Sequence, residues 1–263
     1  MPSAGSITGV SEPLHLHRYG PSGPTQILAI HGLTGHGQRW QTLATRHLAE
    51  FAVAAPDLLG HGHSTWAAPW TIDANVAALA ALLDAPAVVV GHSFGGAVAL
   101  KLAASRPDLV SALVLLDPAV GLDGGWMRGV ADDMLASPDY TDRAEARAEK
   151  AYGSWGDVDP EELDRELDEH LVEHSNGRVG WRISIPAMMS YWSELARPIA
   201  LPLSTIPITL IRASRTSPPY VTDELLAGLA PGRDFTLMDF DCDHMVAQAL
   251  PVETAAVIRK AVG

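Results

Sequence analysis

Both ends of the chain are punctuated by short apolar runs, at residues 26–30, 53–55, 87–90, 113–116 and 208–211, with a last one at 235–237. Val, Ile, Leu and Ala dominate them without polar alternation, the pattern of strands buried on both faces of a parallel sheet. Between them the apolar positions recur at helical spacing, predicting helices over 38–50, 72–83, 94–105, 222–229 and 252–262. Strands that alternate with helices through short connections specify an α/β fold with a doubly wound, mostly parallel sheet.

The middle of the chain, 119–202, lacks these apolar runs. Its periodicity predicts helices with polar outer faces over 126–136, 143–152 and 160–173, and a helix rich in Met and aromatics over 185–195. Pro198 and Pro202 close the segment. The expected division is therefore a core in two parts, 1–118 and 203–263, interrupted by a helical cap at 119–202. Trp181, Met188, Met189 and Trp192 recur on one helical region, where core packing is the first expectation. A cap must still face the site it covers, so Trp126, Met188 and Trp192 are the expected substrate-binding residues.

Charge sharpens the contrast between middle and flanks. The formal net charge is −13. Between Gly121 and Ala200 there are 17 acidic against 8 basic residues, so this segment carries −9 of it. An acidic surface argues against nucleic acid or an anionic membrane as partner. No run of about 18 apolar residues suggests a membrane span. Residues 1–10 show neither a basic start nor an apolar core of signal-peptide length, so a cytoplasmic protein is expected. Cys242 is the only cysteine, which rules out an internal disulfide.

The chemistry concentrates in Gly91-His92-Ser93-Phe94-Gly95-Gly96, a G-x-S-x-G pattern between a predicted strand and a predicted helix. A strand that turns sharply into a helix holds its serine in a strained conformation, and a Cβ at the flanking glycines would collide with the turn. Ser93 is thereby the candidate nucleophile. A serine hydroxyl needs a base. His244, in Asp241-Cys242-Asp243-His244-Met245, follows the last predicted strand and reaches the same edge of the sheet as Ser93. Two backbone N–H groups are expected to bind the oxyanion: Phe94, directly after the nucleophile, and Leu33 in the loop His31-Gly32-Leu33-Thr34-Gly35.

His31-Gly32, Asp57-Leu58-Leu59-Gly60-His61-Gly62-His63-Ser64, Gly91–Gly96 and Asp243-His244 stand in the order found in the α/β-hydrolase superfamily, which the chain resembles from first strand to last helix. Within it the chain is similar to small actinobacterial esterases and lipases, mycobacterial LipV-type enzymes among them, through the acidic segment as well. Members of the superfamily most often carry the triad acid in a turn after the seventh strand. Here that turn reads Arg212-Ala213-Ser214-Arg215-Thr216-Ser217-Pro218, with no carboxylate. The resemblance implies Asp117 instead, at the end of the strand after the nucleophile's, where some members place the acid. Asp223 and Asp241 are weaker candidates, and Asp243 is too close to His244 in sequence to reach its ring.

These residues lead to an expectation of serine-dependent hydrolysis of carboxylic esters, with a small ester or lipid as the partner. Hydrolysis of a thioester, lactone or carbon–carbon bond on the same triad is the alternative, and a non-catalytic binding protein is the rival from another class. No cofactor is expected. No metal is expected either: His61-Gly62-His63 has no partners at zinc-site spacing nearby and reads as a tight turn. Oligomeric state is not legible.

Overall fold

In the computed structural model, which describes residues 14–203, 205–231 and 234–263, the apolar runs become strands of one sheet. In chain order the first elements are β1 (Leu16–Tyr19), β2 (Ile27–Ile30), β3 (Val53–Pro56), α1 (Ile72–Ala80), β4 (Ala87–His92), α2 (Phe94–Ser105) and β5 (Val110–Leu116). The middle segment supplies α3 (Gly124–Ala136), α4 (Arg143–Tyr152), α5 (Pro160–His170), β6 (Leu171–Glu173), β7 (Val179–Trp181) and α6 (Ile185–Leu195). The chain ends with β8 (Ile208–Ala213), α7 (Asp223–Leu229), β9 (Phe235–Phe240), α8 (Val246–Ala249) and α9 (Pro251–Val262).

The seven-stranded sheet runs β1-β3-β2-β4-β5-β8-β9, parallel except for β1, which pairs antiparallel with β3. Successive residues of each central strand feed opposite cores. Leu28, Ile30, Val89, Leu113 and Leu115 join Leu79, Val98 and Leu102 from α1 and α2. Ile27, Ala29, Val88, Val90 and Val114 join Trp40, Leu48, Ala255 and Ile258 on the other face. No helix among the described residues is long and apolar enough to cross a membrane. Residues 1–10, on which the expectation of no leader rests, lie outside the described residues.

Two sequence expectations need correction, and one strand has no counterpart among the apolar runs. The edge strand β1 gives no continuous apolar run, because only one neighbour and one face constrain it. The helix expected over 38–50 is instead a 3-10 turn at Gly37–Trp40 followed by a wide turn at Leu43–His47. The Thr45 hydroxyl donates to the Gln41 carbonyl at 2.8 Å, the local side-chain competition that loosens a regular helix. The helix expected over 160–173 stops at His170, and Leu171–Glu173 pairs with Val179–Trp181 as an antiparallel hairpin. Gly177, at φ 78°, supplies the left-handed residue of its turn, and the preceding Asn176 completes an Asn-Gly signal that the helical periodicity concealed. The middle segment is therefore not purely helical. It packs through Met188, Tyr191 and Leu195 of α6 onto the core that also buries Phe94, and through a smaller cluster in which Trp155, Leu163 and Leu167 meet Met245.

Candidate active site

The sharp turn between β4 and α2 is built by absence of side chains. Ser93 sits at φ 54° and ψ −121°, a left-handed conformation that L-residues avoid unless their surroundings impose it. A Cβ on Gly91 would lie 2.5 Å from the Gly95 carbonyl oxygen, one on Gly95 2.6 Å from the His31 carbonyl oxygen, and one on Gly96 2.5 Å from Pro118 Cβ. Backbone bonds then lock the serine in place. Its N–H donates to Leu116 O at 3.0 Å, and its carbonyl accepts from Gly96 N at 2.8 Å and Ala119 N at 3.0 Å. Those bonds bracket Asp117, so the end of β5 is held against the turn.

Asp117 is itself strained, at φ 41°, and almost fully buried. Its N–H donates to Ile211 O at 2.7 Å, and its Oδ1 accepts from Ala213 N at 3.1 Å. Its Oδ2 lies 2.6 Å from His244 Nδ1. A carboxylate accepts, so Nδ1 carries the imidazole proton and Nε2 keeps its lone pair. The sequence-predicted pair of Asp117 and His244 is thus brought together across 127 residues of chain. Asp243 does not compete: its Oδ1 accepts the His244 backbone N–H at 2.7 Å.

His92 fixes the loop that carries His244. Its Nε2 donates to His244 O at 2.8 Å, and the two rings lie 4.7 Å apart. Burial, reinforced by the neighbouring His244, holds its pKa well below the usual imidazole range, so it serves as a neutral donor. Tyr220, absent from the sequence-predicted site, packs its ring 4.3 Å from that of His244 and stacks on Trp126 at 5.3 Å. Pro218-Pro219-Tyr220 after β8 was the available signal, an aromatic in a turn at the edge of the sheet that carries Ser93.

The loop after β2 approaches the serine from the other side. A Cβ on Gly32 would stand 2.9 Å from Ser93 Cβ, so only glycine permits this approach. Leu58 N donates to His31 Nε2 at 2.9 Å, which leaves the proton on Nδ1 to reach Gly32 O at 2.7 Å. Among the described residues, neither the Leu33 nor the Phe94 N–H has a hydrogen-bond acceptor. Unpaired backbone donors are rare in a protein interior, and Phe94 is wholly buried.

Thr34 continues this loop at φ 57°, and its carbonyl accepts from Arg39 Nη2 at 3.1 Å. Arg39 is in turn clamped by Glu166 of α5, at 3.1 Å to Nε and 2.5 Å to Nη2. Lys150 of α4 adds a third bond to Glu166 at 2.6 Å and lies over the Trp181 ring at 3.7 Å. The buried Glu166 stays ionised: burial opposes it, but Arg39, Lys150 and His36 hold its carboxyl well below the usual range. Burial pulls the Lys150 ammonium down to about 8. A cleft of about 510 Å³ opens beside Thr34, lined also by Val130, Met134, Trp155, Trp181 and Ile185. A second cleft of about 620 Å³ includes Ser111 and Ile208, at the end of the sheet opposite Ser93.

Of the expected substrate-binding residues, Trp126 reaches the His244 side through Tyr220. Met188 is fully buried in the main core, and Trp192 packs partly buried against it. His61 and His63 do not form a metal pair: His61 is buried with Nδ1 donating to Leu59 O at 3.0 Å, while Gly62 turns at φ 51° toward the Asp57 carboxylate.

Known proteins resemble this chain in sequence or in fold. Lipase LipV of Mycobacterium tuberculosis is 67% identical over 256 residues, covering 95% of this chain and 98% of that one. A pimeloyl-[acyl-carrier protein] methyl ester esterase of Neisseria meningitidis is 41% identical over 95 residues, 36% of this chain and 37% of its own. Among solved structures, E-2-(acetamidomethylene)succinate hydrolase superposes with a TM-score of 0.79 at 22% identity, covering 95% of this chain and 94% of its own. A Mycobacterium tuberculosis esterase superposes at 0.68 and 22% identity, covering 97% and 94%. Residues 27–257 match the profile of the alpha/beta hydrolase family, and the chain belongs to that family.

Proposed function

We propose that the protein hydrolyses carboxylic esters through an acyl-enzyme on Ser93, with His244 as base and Asp117 as the triad acid. The carrying observation is the 2.6 Å contact between Asp117 Oδ2 and His244 Nδ1 at the edge of the sheet where Ser93 is held in its strained turn. That contact leaves His244 Nε2 free to take a proton.

In this reading His244 takes the Ser93 proton as Oγ attacks the ester carbonyl, and the N–H groups of Leu33 and Phe94 receive the developing oxyanion. Collapse expels the alcohol, protonated by His244. Water then attacks the acyl-enzyme with the same base, and the acid leaves as Ser93 regains its proton. Asp117 stabilises the imidazolium in both halves without itself taking the proton. The residues named suffice for each step.

The segment 119–202 acts as a cap over the site, a role supported by its contacts through Arg39, Glu166 and Trp126. Trp126 and Tyr220 form the aromatic wall for the acyl or alcohol group, with Met188 and Trp192 behind them. Esters, rather than other acyl compounds, are favoured by the lipase and esterase names of the relatives that align with the chain.

A p-nitrophenyl ester series from acetate to palmitate tests this reading, with Ser93→Ala as control. Turnover that vanishes in the variant supports ester hydrolysis by Ser93. Absence of turnover above the variant on every ester contradicts it.

A further inference from the structure

A second cluster of ligating groups lies at the junction of β1 and β3, away from Ser93. His15 and His17 are two residues apart at the start of the edge strand, so their side chains share a face. The Asp57 side chain meets them from the end of β3. The backbone here is pinned: Asp57 N donates to His15 O at 2.9 Å, His15 N to Ser64 Oγ at 2.8 Å, and Ser64 Oγ to Asp57 O at 2.6 Å. One ligand atom from each of His15, His17 and Asp57 lies within 4.8 Å of the others.

The charge at this junction is unbalanced. Asp57 is completely buried. Its oxygens accept from Gly37 N at 2.6 Å and His63 N at 2.8 Å, bonds that orient a carboxylate without neutralising it. Among the described residues its only ion-pair partner is His17, at 3.4 Å, and an imidazole carries charge only when protonated. A buried anion without a permanent cation is costly.

We propose that His15, His17 and Asp57 form a binding site for a divalent transition cation of the zinc type. Two imidazoles and a carboxylate are a borderline ligand set suited to Zn²⁺, with water completing a tetrahedron. Ligands at zinc distances stand about 3.4 Å apart in a tetrahedron, and His17 Nε2 and Asp57 Oδ1 already have that separation. Each carboxylate oxygen offers more than one acceptor site, so the bond from Gly37 can persist with metal bound. His15, whose side chain is exposed, offers the third ligand atom within 4.8 Å of the other two. The site is distinct from the esterase machinery, because none of its three ligands contacts Ser93, His244 or Asp117.

The test is calorimetric titration of the tag-free full chain with ZnCl₂ at pH 7.5, beside His15→Ala, His17→Ala and a surface control, His47→Ala. One equivalent bound by wild type and His47→Ala, with affinity at least tenfold weaker in both other variants, is the expected result. Zn²⁺ should also raise the Tm of wild type more than that of His15→Ala, because a ligand that binds only the folded state stabilises it. Absence of a saturable single equivalent, or equal binding by all four proteins, overturns the proposal. His15 is exposed, so its variant keeps the test valid even if His17→Ala folds poorly.

Discussion

The Thr216 hydroxyl donates to Asp117 Oδ2 at 3.3 Å, so the turn that lacks a carboxylate still supports the carboxylate that faces His244. The same hydroxyl is 3.3 Å from Asp243 Oδ1, linking the turn after β8 to the His244 loop. Two strand ends thus meet on one carboxylate, supplied from the end of β5, while the turn after β8 keeps a neutral hydrogen-bond donor.

Removing the Asp117 charge should therefore disable the imidazole rather than the fold. Asp117→Asn is expected to lower kcat by about 10⁴-fold with little change in KM, the scale seen when a triad acid loses its charge. Combining it with Thr216→Asp should recover part of the loss, because the position 216 side chain already reaches the Asp117 oxygen that faces His244. Steady-state kinetics on one p-nitrophenyl ester decides both; kcat within a few-fold of wild type in Asp117→Asn rejects the assignment.

Gly32→Ala introduces a Cβ 2.9 Å from Ser93 Cβ and must displace the loop that presents the Leu33 N–H. A loss in kcat of about 10²–10³-fold is expected, the value of one oxyanion donor. Circular dichroism should show an unchanged fold, and an unaltered kcat would remove Leu33 from the oxyanion site.

Glu166 ties the acidic segment to the loop bearing Leu33, through Arg39 and Thr34. Its carboxyl is held below the unfolded value of about 4.3, so its stabilisation is fully present above that pH. It is lost as pH falls toward the folded value. Glu166→Gln leaves Arg39 and Lys150 as uncompensated buried cations and should cost about 3–5 kcal/mol at pH 7. Urea melts from pH 7 to pH 3 should show a shallower acid limb in the variant than in wild type. Parallel limbs would place the acid sensitivity elsewhere.

Tyr220 lies between His244 and Trp126, where the proposed aromatic wall would meet substrate. Tyr220→Ala should shift the preferred acyl length and raise KM more than it lowers kcat for the best wild-type ester. An unchanged chain-length profile would leave the Tyr220 ring a purely structural support of His244.

The strands of the parallel sheet were readable because burial on both faces leaves unbroken apolar runs such as Val88, Val89 and Val90. The turn at Ser93 was readable because its pattern is complete within six residues of chain, although Gly95 and Gly96 make room for the distant His31 and Pro118. β1 was not: His15-Leu16-His17-Arg18-Tyr19 sits at an edge, where one face and one neighbour leave a polar alternation. The same polarity concealed the His15–His17–Asp57 cluster, whose aspartate lies 42 and 40 residues after the two histidines and meets them only through the β1–β3 register. The hairpin at Leu171 and Val179 was hidden by the helical periodicity that runs into it from α5. Glu166 owes its role to contacts with the distant Arg39 and His36, which no local pattern encodes, and Tyr220 left only the faint signal of an aromatic after two prolines.

Activation of Ser93 by His244 and Asp117 is tested most directly by covalent capture with a fluorophosphonate. Intact mass and peptide mapping should find one adduct on Ser93 in wild type, none in Ser93→Ala, and labelling slowed by orders of magnitude in His244→Ala and Asp117→Asn. An adduct on another residue, or equal labelling rates in wild type and both triad variants, would contradict it.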